Sequence, residues 1–489
     1  MKKLHIIILI ISMAVIYTAC EEYLEESPPG ELAPGNLLST QEGVESVLNS
    51  AYYNYAFGYG YHEGMAAPKE YPCDILYQTG GGMNKNFVIM SQFQWTPSTS
   101  TTNFGVWSRY NSIRDANIVI DNIDNFKADE QIKAQLLAEA RYIRAVDYVY
   151  LYDAFGSVPL RTSSTDPPDL PRAEEQELLT FIEEELETVV ADLPAPGEVT
   201  YGRATKGAAL GFLARFHLNN KEWQKAAEAC QGVMDLNYYA LFPSYRDLFK
   251  VENEPDKNSA NREMIAVATN TNVNPYGNKI SACAQPPGFH HTEKLPEFQA
   301  TGIANWASQF RFYDSFVNSF DQANDERFSL IFSQYVNQGG NTVDLTTSAD
   351  NYRTLKFFDN AADAASHGND FPMLRYADVL LMRAEALNEI NGPTNEAVGL
   401  NNQVRSRAGL VDLDAGDFTK ESLRDHILME RGWEFYYEGL RRSDLIRHGK
   451  FVSKARDRGV TAAQDFHVLY PIPQGEVDAN SKIIQNDGY

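Results

Sequence analysis

Apolar residues that recur every three or four positions, in runs cut off by turn residues, restrict the fold of this 489-residue chain more than any other feature. After Asp129, the residues Ile132, Leu136, Ala140, Ile143, Val146 and Tyr150 lie on one helical face, and the run stops at Phe155-Gly156 ahead of Pro159. From Glu174, the residues Leu178, Ile182, Leu186, Val189 and Leu193 repeat the stripe up to Pro194. Residues 204–218 and 222–236 read as a helical hairpin about Asn219-Asn220-Lys221. Residues 374–390 and 394–408 form a second about Asn391-Gly392-Pro393, followed by a helix over about 421–437. Hairpins of roughly 34 residues with small residues at the crossing follow a degenerate tetratricopeptide pattern. No such pair buries its stripe alone, so the expected fold is all-α, a scaffold of stacked helix pairs.

Two stretches break this rhythm. Residues 52–103 are crowded with Tyr, Gly, Asn and Ser, and residues 270–305 carry Pro275, Pro286, Pro287 and Pro296. Segments of that length without periodicity are seldom mere connectors, and their aromatic content favours ordered surface loops. Function is expected there.

The N-terminus addresses the compartment. Met1-Lys2-Lys3 precedes an almost wholly apolar stretch from Leu4 to Ala19, too short to span comfortably and shaped like a signal peptide. Thr18-Ala19-Cys20 resembles a bacterial lipobox, with Tyr17 where leucine is usual, so Cys20 is the expected lipidated first residue. Loss of residues 1–19 removes two lysines and no acid, which takes the net charge from -24 to -26. An excess of 66 Asp+Glu over 42 Lys+Arg argues against nucleic acid, whose phosphates need a basic face. Cys230 reads as a small core residue on a helix, while Cys73 and Cys283 lie in loop-like sequence where pairing is open. No metal site is expected: the nine histidines include no HExxH, and the adjacent His290 and His291 should point apart.

Enzymatic patterns fail on spacing. Gly58, Gly60 and Gly64 miss the dinucleotide fingerprint by one residue, and in Gly202-Arg203-Ala204-Thr205-Lys206-Gly207 the lysine precedes the second glycine, unlike a phosphate loop. Asp412, Asp414 and Asp417 evoke a calcium loop, but Gly416 is misplaced and position twelve is Leu423. Glu183, Glu184 and Glu185 lie opposite the apolar stripe and read as a solvated face. No GxSxG nucleophile elbow occurs.

Eight blocks in order resemble one family. They include residues 138–145 (AEARYIRA), 155–160 (FGSVPL), 202–209 (GRATKGAA), 374–386 (LRYADVLLMRAEA), 404–410 (VRSRAGL) and 434–439 (EFYYEG). Tyr470-Pro471-Ile472-Pro473 and residues 485–489 (QNDGY) close the series, with Ser481 and Asp487 where prolines are more usual. On these the chain resembles the SusD/RagB outer-membrane lipoproteins of Bacteroidetes. The resemblance implies a SusD-like α-helical superhelix with long irregular ligand-binding loops. It also implies a signal peptide over 1–19 and a single SusD-like domain over 20–489, with an N-terminal part to about 240 and a C-terminal part from about 241. The expected function is non-enzymatic: capture of a glycan at the cell surface and delivery to a SusC-like TonB-dependent transporter, for which the protein serves as lid. Peptide capture, as in RagB-like relatives, a surface glycosidase, and a ligand-free scaffold are the alternatives.

Most of the shared blocks are structural. Arg203, Arg375 and Arg405 are expected to brace helices by pairing with acids, and Trp107 to pack in the core. A sugar needs a flat aromatic against its C–H face and polar side chains at its hydroxyl rim. By resemblance, Trp95, 21 residues after Asp74, stands where a stacking tryptophan often follows an acid. Tyr276, Phe289 and Trp306 lie in the second variable region. Asp74, Trp95, Tyr276, Phe289 and Trp306 are therefore the expected glycan-binding residues, with no cofactor and no metal.

Overall fold

The computed structural model describes residues 37–56, 66–79, 85–99, 106–304 and 310–489. Nine helices form its frame: α1 (Gln41–Ala56), α2 (Tyr110–Asp121), α3 (Glu130–Phe155), α4 (Glu175–Asp192), α5 (Lys206–Asn219), α6 (Trp223–Asp235), α7 (Tyr376–Asn391), α8 (Asn395–Arg407) and α9 (Lys420–Phe435). Each packs on the next from α1 to α8, and α9 returns onto α7. That neighbour-to-neighbour order is the helical superhelix the hairpin pattern predicts.

Local chemistry sets the boundaries. Helix α3 starts after Asp129 and stops at Gly156, whose φ of +69° ends the helix where a side chain would be strained. Threonines cap α5, α8 and α9: the side chains of Thr205, Thr394 and Thr419 accept from Ala208, Ala397 and Ser422 N–H. Cys230 is buried on α6 as expected, and Cys73 and Cys283 are buried free thiols rather than a pair.

Short strands hold the loops. They include β1 (Leu76–Gln78), β2 (Met264–Ala268), β3 (Phe289–His291), β4 (Phe310–Phe312) and β5 (Phe371–Arg375), with four further short strands between residues 331 and 354. β1 pairs antiparallel with β4, and β2 with β5. The helix expected from 374 starts only at Tyr376, because Phe371–Arg375 is buried throughout and hydrogen-bonds to β2. Leu374 fills the space beside Gly211 of α5, where a Cβ would fall 2.3 Å from its Cδ2.

A buried ion network joins these parts. Five cations (Arg327, Lys356, Arg375, Arg405, Arg407) meet five carboxylates (Glu263, Asp325, Glu430, Glu434, Glu438). Arg375 alone reaches Glu263 at 2.6 Å, Glu434 at 2.5 Å and Glu438 at 2.7 Å. Burial works against the Glu430 carboxylate, but Arg327 and Arg405 outweigh it and hold its pKa at about 2. The bracing role expected of Arg203, Arg375 and Arg405 holds: their partners include Glu139, Glu434 and Glu430. Glu185 departs from its expected solvated face. It is buried between α3 and α4, bonded to Arg141 at 2.7 Å and Arg144 at 2.6 Å. Two arginines on α3 compensate its charge, which the pattern of α4 alone does not reveal.

Glu70 lies outside this network. One carboxyl oxygen accepts from Gly439 N–H at 2.7 Å while the other has no partner, and burial pushes its pKa up to about 8. An unfolded glutamate titrates near 4.3, so between roughly pH 4.3 and 8 the folded chain holds a proton that the unfolded chain has released. This contribution is full below the lower value and is lost as pH rises through the upper one. Asp370, also raised to about 8 by burial and by Glu254, adds the same slope. Burial holds His367 at about 3, which gives the opposite slope below about pH 6.5, so the melting temperature should fall as pH rises from about 6.5 to 8, and Glu70→Gln should flatten that fall. An unchanged slope in the variant would place the titration elsewhere.

Candidate functional site

Of the five residues expected to touch a glycan, three are in the packing. Trp95 is 3% exposed, in contact with Phe93, His467 and Tyr470, and its Nε1–H donates to Tyr489 Oη at 2.8 Å. Phe289 is 0% exposed, among Phe332, Tyr335 and Phe358. Asp74 takes both oxygens to Arg441, at 2.7 and 2.9 Å. Burial raises its pKa, yet Arg441 and then Arg458 and Lys454 outweigh that and hold it below the usual range. None of the three offers a ligand a free face, which corrects the expectation. The large aromatics fill core space, and the acid neutralises a buried arginine. Trp306 and Cys20 lie outside the described residues. Trp107 packs against Tyr110 and Phe155, as expected. His290 and His291, expected to diverge, instead bring their Nδ1 atoms to 2.6 Å, but no group of three metal-ligating side chains occurs among the described residues.

Tyr276 is different. It is 64% exposed on the loop of residues 269–279, which runs from β2. A second loop, residues 359–370, holds this one in place. Asn272 Nδ2 donates to Ala361 O at 2.9 Å, Asn278 and His367 exchange backbone bonds at 2.8 and 3.0 Å, and Asn270 N–H donates to Asp370 Oδ1 at 2.6 Å. Lys279 Nζ bonds Ser366 Oγ in the same clamp.

Tyr276 rims a groove of about 500 Å³ that also takes in Asn49, Tyr53, Thr200, Arg203 and Asn270. A cleft of about 370 Å³ adjoins it, with Tyr142, Tyr238, Tyr239, Asp256 and Ser259 on its walls. Tyr52, Tyr55, Tyr201 and Arg203 line both. Three tyrosines come from the last turns of α1, where Tyr52 and Tyr55 share a face and Tyr53, 59% exposed, stands at the edge. Gly202 (φ +90°) lets the opposite wall approach: a Cβ there would sit 3.0 Å from Thr269 Cγ2.

The polar groups beneath this floor are already paired. Tyr52 Oη donates to Glu139 Oε2 at 2.7 Å and accepts from Ala204 N–H at 2.9 Å. Arg203 bonds the same carboxylate at 2.8 Å, reaches Asn49 Oδ1 at 3.2 Å, and lies over the Tyr52 ring. Burial opposes its charge, but the Glu139 hydrogen bond and charge outweigh this and raise its pKa. Tyr53 and Tyr276 therefore expose their rings over a floor of more deeply buried tyrosines of fixed orientation, flanked by amide and hydroxyl side chains. This combination suits a ligand with apolar faces and a hydroxyl rim. Of the residues expected from sequence, Tyr276 is the one that lines this groove; Tyr53 and its neighbours, which also line it, were not among them, although Tyr52-Tyr53-Asn54-Tyr55 at a helix end was the available signal.

Burial sets opposite expectations for two aromatics. Trp95→Ala should lower stability by about 3–5 kcal/mol, whereas Tyr276→Ala should stay within about 0.5 kcal/mol of the parent in denaturant titration. A Trp95 variant as stable as the parent would contradict its core position.

Known proteins bear on this geometry. The family model described as SusD family matches residues 307–489, and one described as starch-binding associating with outer membrane matches 22–218. A SusD-like protein of Formosa agariphila is 26% identical over 99% of this chain and 98% of its own length. The starch-binding protein SusD of Bacteroides thetaiotaomicron is 26% identical over 83% and 82%. Among solved structures, a laminarin binding SusD-like protein superposes with a TM-score of 0.77 at 23% identity, covering 92% of this chain and all of that one. Surface glycan-binding protein A from Bacteroides thetaiotaomicron, in complex with laminarihexaose, gives 0.74 at 19%, covering 91% and 99%. With two family models over most of its length, relatives alike from end to end and the same helical fold, the chain belongs to the SusD/RagB family.

Proposed function

We propose that this protein is a cell-surface lipoprotein that captures an oligosaccharide in the tyrosine groove and passes it to a SusC-like TonB-dependent transporter. The observation that carries the reading is the pair of exposed rings, Tyr53 and Tyr276, that line one groove with a tyrosine floor. Exposed aromatics are costly to leave in water, and a sugar face covers them while Asn49, Thr200 and Asn270 meet its hydroxyls. Relatives described as starch-binding and laminarin binding support the ligand class. The family description of outer-membrane association supports the location. No helix among the described residues is long and apolar enough to cross a membrane, which fits attachment through a lipid on Cys20. Capture is useful only beside an importer, which is the argument for the transporter partner. Trp306 stays a candidate for further stacking area.

A binding screen against glycans and peptides tests the reading. Tyr53→Ala and Tyr276→Ala should each weaken glycan binding by roughly 1–3 kcal/mol, about 5- to 150-fold, with little change in melting. Released reducing ends would support a glycosidase instead, and binding confined to peptides would replace the ligand class. Cys20→Ala should move the protein from the membrane to the soluble fraction, and gentle solubilisation should recover a large β-barrel with the parent chain.

A further inference from the structure

We infer that the groove selects uncharged glycans and rejects sulfated or uronate-containing ones, an inference that rests on the glycan-binding reading. Among the described residues, the charged side chain that lines the groove is Arg203, and the adjoining cleft adds Asp256. Arg203 is the cation an anionic sugar would meet, and its charge is already offset by Glu139. Glu139 takes its Nε at 2.8 Å, Asn49 takes a terminal nitrogen, and its plane rests on Tyr52. Asp256, exposed at the cleft, repels anions.

Of the cations nearby, Lys257 pairs with Glu254 at 2.5 Å, and the exposed Arg262 lies over the Tyr238 ring of the adjoining cleft rather than in the groove. Segments 57–65, 80–84, 100–105 and 305–309 contain no lysine or arginine, so none of them supplies one. An anionic ligand in the groove would thus give up water for a cation whose charge Glu139 already offsets, a costly exchange. Tyrosine faces, amides and hydroxyls make no such demand of a neutral sugar.

Calorimetric titration with a neutral β-1,3-glucan, a neutral α-1,4-glucan, a sulfated galactan and a polyuronate tests this. The expected result is binding of at least one neutral glycan, weakened by Tyr276→Ala. It should change less than about twofold between roughly 50 and 500 mM salt, because no exposed ion pair is made. Both anionic polymers should bind at least about tenfold more weakly. Thr200→Lys, which adds a cation at an exposed position on the groove wall, should gain affinity for the anionic polymers. Equal or tighter anionic binding by the parent, falling with salt, would overturn the selectivity while leaving glycan capture intact. A Thr200→Lys variant with no such gain would overturn charge as its cause. Absence of binding to all four would overturn the glycan reading itself.

Discussion

Arg375 is the joint on which the two halves of this architecture meet. It ends β5, opens α7, and bonds Glu263 ahead of β2 and Glu434 and Glu438 at the end of α9. A guanidinium so deeply buried is tolerable only because three carboxylates face it, and removal of one partner from such a pair typically costs about 3–5 kcal/mol. The pairing fixes direction as well as position, since a planar fork meets carboxylates in few orientations. Where Arg375 meets Met264, the β2–β5 ribbon is anchored. Its far end, Ala268 opposite Phe371, releases the two loops that clamp Tyr276. The exposed Tyr276 ring is thereby tied through one short ribbon to the most constrained part of the core.

Charge is sorted along the same lines. Arginines and acids are matched inside, where each strands the other if removed. The excess of acids over bases therefore lies mainly toward solvent. At the groove, the charge of Arg203 is offset by its bond to Glu139. That bond also sets the wall: Glu139 comes from α3, Arg203 from the loop before α5, and Tyr52 from α1. Two helices and a loop thus share one buried carboxylate, and the tyrosine floor follows from their convergence.

Much of the scaffold was legible because helices announce themselves locally. The stripe from Ile132 to Tyr150 and the stop at Gly156 place α3 to the residue at its C-terminal end. Strands were not legible, since β1 at residue 76 pairs with β4 at residue 312 and three-residue strands carry no periodicity. Site residues failed for a related reason. Whether an aromatic stacks on a sugar or on its neighbours depends on partners far away in sequence: Trp95 is claimed by Tyr470 and Tyr489, while Tyr276 has open space. Glu185 misled in the same way, because the arginines that bury it belong to another helix.

Backbone hydrogen exchange with and without a saturating neutral oligosaccharide tests the central claim most directly. The groove account predicts slowed exchange over residues 197–204 and 269–279 and at the C-terminal turns of α1, with α8 and α9 unchanged. Protection confined to segments away from these walls would contradict it.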